Sequence, residues 1–235
     1  MLCRIADLTV EIPETGGLAP RLRDYRMQEA AVPDIVIDDS RYRPASWPNL
    51  SFEDAVYMES GFQFYYRLLR HDGMMLHASA VELDGMAYLF SGPCGMGKST
   101  HTRIWQETFG EGVHLFNDDK PALRRVDGRW YAYGTPWAGK HGLNINMRVP
   151  LAGICFLQRG QENRIRRLDT KEAIANLIAQ TTRRAAKQET LLLMLTQVDR
   201  LVREIPVFEL ENLPEPAAAM LSRDTMLHAA KEAGL

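Results

Sequence analysis

The segment Phe90–Thr102, FSGPCGMGKSTHT, restricts the fold of this 235-residue chain more than any other stretch. An apolar run, Ala87–Phe90, enters it, and a helix-compatible run, Ser99–Thr108, leaves it. Three glycines in six residues demand a tight loop between a strand and a helix. The strand is the second arm of a predicted hairpin, because MMLHASAVEL and MAYLFSG flank Asp84-Gly85, a two-residue turn that needs positive φ. Its neighbour is therefore antiparallel, whereas a βαβ unit would place a parallel strand beside it. The expected class is α/β with an α+β tendency: a mixed sheet around a phosphate loop, followed by C-terminal helices.

Gly92-x4-Gly97-Lys98-Ser99 satisfies the phosphate-loop pattern G-x-x-x-x-G-K-[ST]. Glycines let backbone N–H groups converge on phosphate oxygens, and the lysine adds a positive charge. The serine offers a hydroxyl to Mg²⁺, and the helix that starts there turns its positive end to the anion. Gly92, Pro93, Cys94, Gly95, Met96, Gly97, Lys98, Ser99 and Thr100 are the expected ligand-binding residues. Cys94 reads either as a reactive thiol near a helix N-terminus or as a small residue in a variable slot.

Eighteen residues after Ser99 an apolar run ends in Asn117-Asp118-Asp119. Carboxylates at a strand end suit a Mg²⁺ site beside a phosphate loop. One of the two Asp residues would hold the metal, with Ser99, and the other would accept a proton from an attacking hydroxyl; a solvated turn is the plain alternative. His77 lies in MMLHASAV, on the strand expected to pair with the one delivering the loop. Gly134–Lys140, GTPWAGK, reads as a second loop, because Pro136 and the flanking glycines exclude regular structure. Lys140 would clamp a transferring phosphoryl group there, and Trp137 would either wall a pocket or be buried in a structural turn. His141 and Arg148 are further basic candidates nearby. Arg164, Arg166 and Arg167, with Arg183 and Arg184, form a solvated face or a patch for an acidic peptide or phosphate.

A net charge of −2 argues against a general nucleic-acid or membrane binder. Three scattered cysteines without a C-x-x-C pair suit a reducing cytoplasm, and no signal peptide or membrane span is read. The organisation expected is a small N-terminal β lobe over 1–50, with short strands at Leu8–Ile12 and Asp34–Ile37, and one nucleotide-binding unit over 51–235. In the second unit Ser51-x-x-Asp54 opens a helix running to about Arg70. PALRRV and RWYAYG flank Asp127-Gly128 as a second hairpin, and strands follow at Leu151–Gln158 and Arg164–Leu168. The tail reads as helices Lys171–Arg184, Glu189–Glu204 and Pro216–Ala230, with a strand at Val207–Leu210. The apolar run Leu191–Leu195 suits a core, and two adjacent helices of this kind would also suit a homo-oligomer contact.

Taken together, Leu76-His77-Ala78, GPCGMGKS and Asn117-Asp118-Asp119 resemble the HPr kinase/phosphorylase family, which shares a fold with the ATP-dependent phosphoenolpyruvate carboxykinases. The likeness is motif by motif over roughly residues 74–126. GTPWAGK resembles a divergent branch found with peptide-modification gene clusters, some of whose members are thought to phosphorylate serine hydroxyls in peptides. The resemblance implies an ATP-dependent serine kinase using Mg²⁺, with GTP or pyrophosphate as other donors and a peptide, protein or small-molecule hydroxyl as acceptor. It makes Asp118 the base, Asp119 the metal-associated carboxylate and His77 a support near the phosphates. The chain departs from the family where Ala78 replaces a glycine and where GTPWAGK and Leu143–Asn146 replace the segment used to recognise HPr, so HPr itself is not carried over. The competing readings are a nucleotide-binding regulatory or assembly protein that transfers nothing and, ranked last, a small-molecule phosphotransferase or carboxykinase-like lyase.

Overall fold

In a computed structural model that describes residues 1–39, 49–139, 142–181 and 187–235, the chain first forms strands β1 (Leu2–Ile5) and β2 (Leu8–Glu11), then a 3₁₀ segment (Gly16–Tyr25) and β3 (Ile35–Val36). These strands make one small sheet, antiparallel between β1 and β2 and parallel between β2 and β3. Helix α1 (Phe52–Leu68) follows. Its start is set by Ser51, whose hydroxyl accepts the Asp54 N–H at 3.1 Å, satisfying a first-turn donor.

The second sheet holds β4 (Gly73–Met75), β5 (Ala78–Leu83), β6 (Met86–Ser91), β7 (His114–Asn117), β8 (Ala122–Val126), β9 (Arg129–Tyr133), β10 (Arg148–Arg159), β11 (Arg164–Arg167) and β12 (Val207–Asn212). Both expected hairpins form. Asp84 and Gly85 sit at φ 52° and 78°, and Asp127 and Gly128 at 50° and 83°, the double positive-φ turn that matches strand twist. The sheet is mixed: β6 is antiparallel to β5 but parallel to β10, which is in turn parallel to β12.

Two long chain segments curl this sheet. The first three residues of β10 pair antiparallel with β9; Leu151 to Phe156 pair parallel with β6, through a register shift between Leu151 and Gly153. Likewise β4 pairs with β8, whereas β5, two residues later, pairs with β6 and β7. The segment 73–83 therefore touches the sheet at both ends of its path. Leu76 and His77 form the break between β4 and β5, so His77 is not on a strand as expected.

Helices α2 (Lys98–Phe109) and α5 (Pro216–Glu232) cover one face. Their Ile104, Trp105, Ala219 and Met226 pack with Tyr88, Phe90, Cys155 and Leu157. Helices α3 (Thr170–Gln180) and α4 (Gln188–Glu204) cover the other face, where Leu177, Met194 and Val198 meet Leu89, Ile154 and Phe156. Neighbouring residues of β6 and β10 thus serve opposite cores, as strand alternation requires. The result is an α+β fold with a mixed, partly curled sheet and C-terminal helices. A third cluster joins the N-terminal sheet to α1 through Val56, Phe64, Tyr65 and Trp137.

Candidate functional site

The glycine loop leaves the sheet at Ser91 and enters α2 at Lys98. Gly92, Gly95 and Gly97 have φ of 144°, 77° and 94°, conformations that residues with a Cβ rarely adopt. A Cβ on Gly92 would also lie 3.3 Å from the carbonyl oxygen of Leu157, so the loop hugs the backbone of β10. The Lys98 ammonium lies across the loop and donates to the carbonyls of Gly92, at 2.9 Å, and Pro93, at 3.2 Å. Burial lowers the Lys98 pKa, and the nearby Cys94, Asp119 and Asp118 partly offset this. The first helical bond runs from His101 N–H to Gly97 O at 2.8 Å, which leaves the amides of the preceding turn pointing out of the helix.

Asn117, fully buried at the end of β7, builds the acidic turn. Its side-chain oxygen accepts the N–H of Asp119 at 3.2 Å and of Lys120 at 2.8 Å. Its amide donates to the carbonyl of Thr135 at 3.0 Å. The Thr135 hydroxyl and the Tyr65 phenol both donate to Lys120 O, at 2.8 and 2.5 Å. The two carboxylates then part company, as adjacent residues must. Asp118 accepts from Ser79 at 2.7 Å, and Ser79 also contacts the Thr102 hydroxyl of α2 at 2.9 Å. Asp119 is ion-paired with Lys120 and lies 3.4 Å from His77 Nε2.

His77 is held from behind by the C-terminal end of α3. Its N–H donates to Gln180 O at 2.8 Å, and its Nδ1 is 3.1 Å from Gln180 Oε1. Burial and then the Lys98 charge lower its pKa, with Gln180 and Asp119 opposing. The loop lysine, His77 and both carboxylates thus form one electrostatic cluster.

The second predicted loop divides. Lys140 and His141 lie outside the described residues, as do Arg183 and Arg184. Trp137 is 0 % exposed, stacked on Phe64 at 4.9 Å, with its indole N–H on Ser60 at 3.1 Å. It is a core residue, and its ring also lines a small cavity with Tyr57, Gly61, Tyr65 and Lys120. Arg166 is paired with Glu172 and Glu209, and Arg148 stacks on Tyr131 at 3.7 Å while pairing with Asp7. Cys94 is exposed in the loop.

Several residues that shape the site went unread in the sequence: Ser79, Thr102, Lys120, Thr135, Tyr65 and Gln180. Lys120 carried a signal, a cation directly after two carboxylates. The others carry no motif, and only tertiary approach gives them partners. Another is Arg159, the last residue of β10, which donates to Gly95 O at 3.0 Å.

Residues 52–213 match the family model described as SynChlorMet cassette protein ScmC. No curated protein matches the sequence. Among solved structures, an Hpr(Ser) kinase/phosphatase from Coxiella burnetii is similar over 68 % of this chain and 93 % of its own, at 13 % identity and a TM-score of 0.40.

These findings correct the reading drawn from resemblance. The family matched is not the HPr kinase/phosphorylase family, so a serine kinase activity, its ATP and its peptide, protein or small-molecule serine acceptor are no longer implied. The structural likeness, at that TM-score, does not restore them. Mg²⁺ on Ser99 and Asp119 falls as well. Among the described residues no group of three or more His, Cys, Asp or Glu side chains could hold a metal ion. The physical reason is visible at Asp119, whose carboxylate is taken up by Lys120 and His77. No helix among the described residues is long and apolar enough to cross a membrane.

Proposed function

The chain belongs to the ScmC family, and we propose that it is a cassette component that binds a phosphate-bearing ligand on the loop Gly92–Ser99. The observation that carries this reading is the loop itself: three positive-φ glycines and a lysine ammonium folded around the first turn of a 12-residue helix. Such a turn presents converging N–H donors and the positive end of the helix dipole. In this reading Gly92, Gly95, Gly97, Lys98, Ser99 and Thr100 contact the phosphate, and Pro93, Cys94 and Met96 complete the rim.

Two carboxylates close to an anion site would repel its ligand if they were free. Here Ser79 binds Asp118, while Lys120 and His77 face Asp119. Lys120 offsets the Asp119 charge and Ser79 holds Asp118 in place, and in this arrangement Asp118, Asp119 and His77 shape the mouth of the site. A cytoplasmic setting fits the three free cysteines, two of them buried.

Calorimetric titration with inorganic phosphate and with sulfate tests the reading. A charge-assisted contact contributes about 1.5–3 kcal/mol, so Lys98→Ala should weaken either anion roughly 10- to 100-fold. Wild-type protein that takes up neither anion would sink the proposal.

A further inference from the structure

Three parallel strands end at one edge of the sheet. β6 ends at Ser91 and feeds the glycine loop, β10 ends at Arg159, and β12 ends at Asn212. Phe156 is in register with Ser91, and Arg159 with Asn212. The carboxyl ends of parallel strands are where open α/β sheets hold their ligands. A groove of about 390 Å³ lies there, lined by Gly95, Gly97, Thr100, Arg159 and Asn212, with Met96 and Leu213 among its apolar walls. A phosphate alone does not need this space, which is the size of a small-molecule site.

From these observations we infer a second subsite: the groove takes the organic body of a phosphate monoester, and Arg159 pairs with a carboxylate on that body. The inference rests on phosphate binding at the glycine loop and adds the ligand's class, a phosphorylated organic acid. Arg159 spends one N–H on Gly95 O at 3.0 Å. A guanidinium carries five N–H donors in a planar fork, and the remaining ones match a carboxylate. The contact with Gly95 also places this charge directly beside the loop, so the two anionic groups of one small ligand would be held by adjoining parts of the chain. Among the described residues the Asn212 amide donates only a long bond, 3.5 Å, to Leu213 O, and it supplies an amide to the polar groups between the two acids.

The probes are 3-phosphoglycerate and glycerol 3-phosphate, which differ by the carboxylate, with inorganic phosphate as reference; each is titrated into the whole protein by calorimetry. Wild type should prefer 3-phosphoglycerate over glycerol 3-phosphate by roughly tenfold or more, the worth of one charge-assisted contact. Arg159→Gln should bring that ratio to about one, Arg159→Lys should keep part of it, and Asn212→Ala should lower it without removing it. If phosphate binds but wild type shows no preference, or if the preference survives in Arg159→Gln, the subsite is wrong and the loop reading stands. If Arg159→Gln weakens all three anions equally and leaves the ratio unchanged, Arg159 is only a brace for the loop and the inference is overturned. If wild type binds none of the three, the loop reading falls and the subsite with it.

Discussion

Asn117 and Thr135 are joined across the sheet by a bond of 3.0 Å from the Asn117 amide to the Thr135 carbonyl, both residues being fully buried. With the Thr135 hydroxyl bond to Lys120 O, this contact ties the acidic turn to the segment after β9. It also orients the Asn117 oxygen that receives the N–H groups of Asp119 and Lys120. Removing it strands three polar backbone groups in a site with little water. Asn117→Ala should therefore cost about 3 kcal/mol or more, since each unsatisfied buried group costs roughly 1–3 kcal/mol. Asn117→Asp should not rescue it, because a carboxylate would face the Thr135 carbonyl with no proton to share. Urea denaturation of both variants decides the matter, and a loss under about 1 kcal/mol in Asn117→Ala would contradict the role given to this residue.

Gly134 makes a second point about the same turn. A Cβ there would stand 1.8 Å from the carbonyl oxygen of Ile145, a backbone atom that cannot rotate away. The 142–147 segment is fixed in turn by Ile145 N–H on Phe116 O and by Asp118 N–H on Leu143 O. Gly134→Ala should cost about 2–4 kcal/mol, in the range of severe overpacking. It should also loosen the backbone under Asp118. Thermal denaturation gives the first result, and amide hydrogen exchange at Asp118 gives the second; unchanged exchange would show that the segment adapts.

What the sequence displayed was local chemistry. Asp84-Gly85 and Asp127-Gly128 fix their turns by φ alone, and Ser51 caps α1 with its own hydroxyl, so neighbours in the chain sufficed to read them. The break at Leu76-His77 was hidden because MMLHASAV is one apolar run. Only the pairing of β4 with β8 and of β5 with β6, with α3 donating Gln180 between them, divides it. Of the site, the glycine loop and acidic pair were visible as motifs. Ser79, Thr135 and Tyr65 were not, because their partners lie 15 to 55 residues away. The family was misread for a related reason. The resemblance rested on about fifty residues around the loop, whereas the family model matches from 52 to 213.

Trp137 separates a structural residue from a ligand contact. Its ring is stacked between α1 and the sheet, with Gly61 leaving room for it: a Cβ on Gly61 would come within 3.0 Å of Trp137 Cδ1. Trp137→Phe loses the bond to Ser60 and part of the packed surface, at a cost of about 1–3 kcal/mol. Phosphate affinity should stay within about twofold of wild type, because the ring contacts Phe64, Tyr65 and Ser60 of α1 rather than the glycine loop. A tenfold loss of affinity by calorimetry in a stably folded Trp137→Phe would return the ring to the ligand pocket.

His101 sets a pH limit on stability. It lies on α2, 1 % exposed, against the Phe90 ring at 4.4 Å. Its Nε2 accepts the Trp105 indole N–H at 3.2 Å, and its Nδ1 has no hydrogen-bond partner among the described residues. Burial without a neighbouring carboxylate lowers its pKa from 6.5 to about 4. The folded state therefore favours the neutral ring. Above pH 6.5 both states are neutral and the full stability is present. As pH falls from 6.5 towards 4 the unfolded chain binds a proton that the folded chain refuses, and stability drops. Below 4 both are protonated and the loss is complete, about 3 kcal/mol for such a shift. In His101→Gln, which keeps an acceptor for Trp105 but does not titrate, that part of the slope should vanish. Urea midpoints at pH 7.5, 5.5 and 4.5 measure it against the background of the carboxylates common to both proteins. Parallel curves for wild type and variant would show that His101 takes up its proton without cost to the fold.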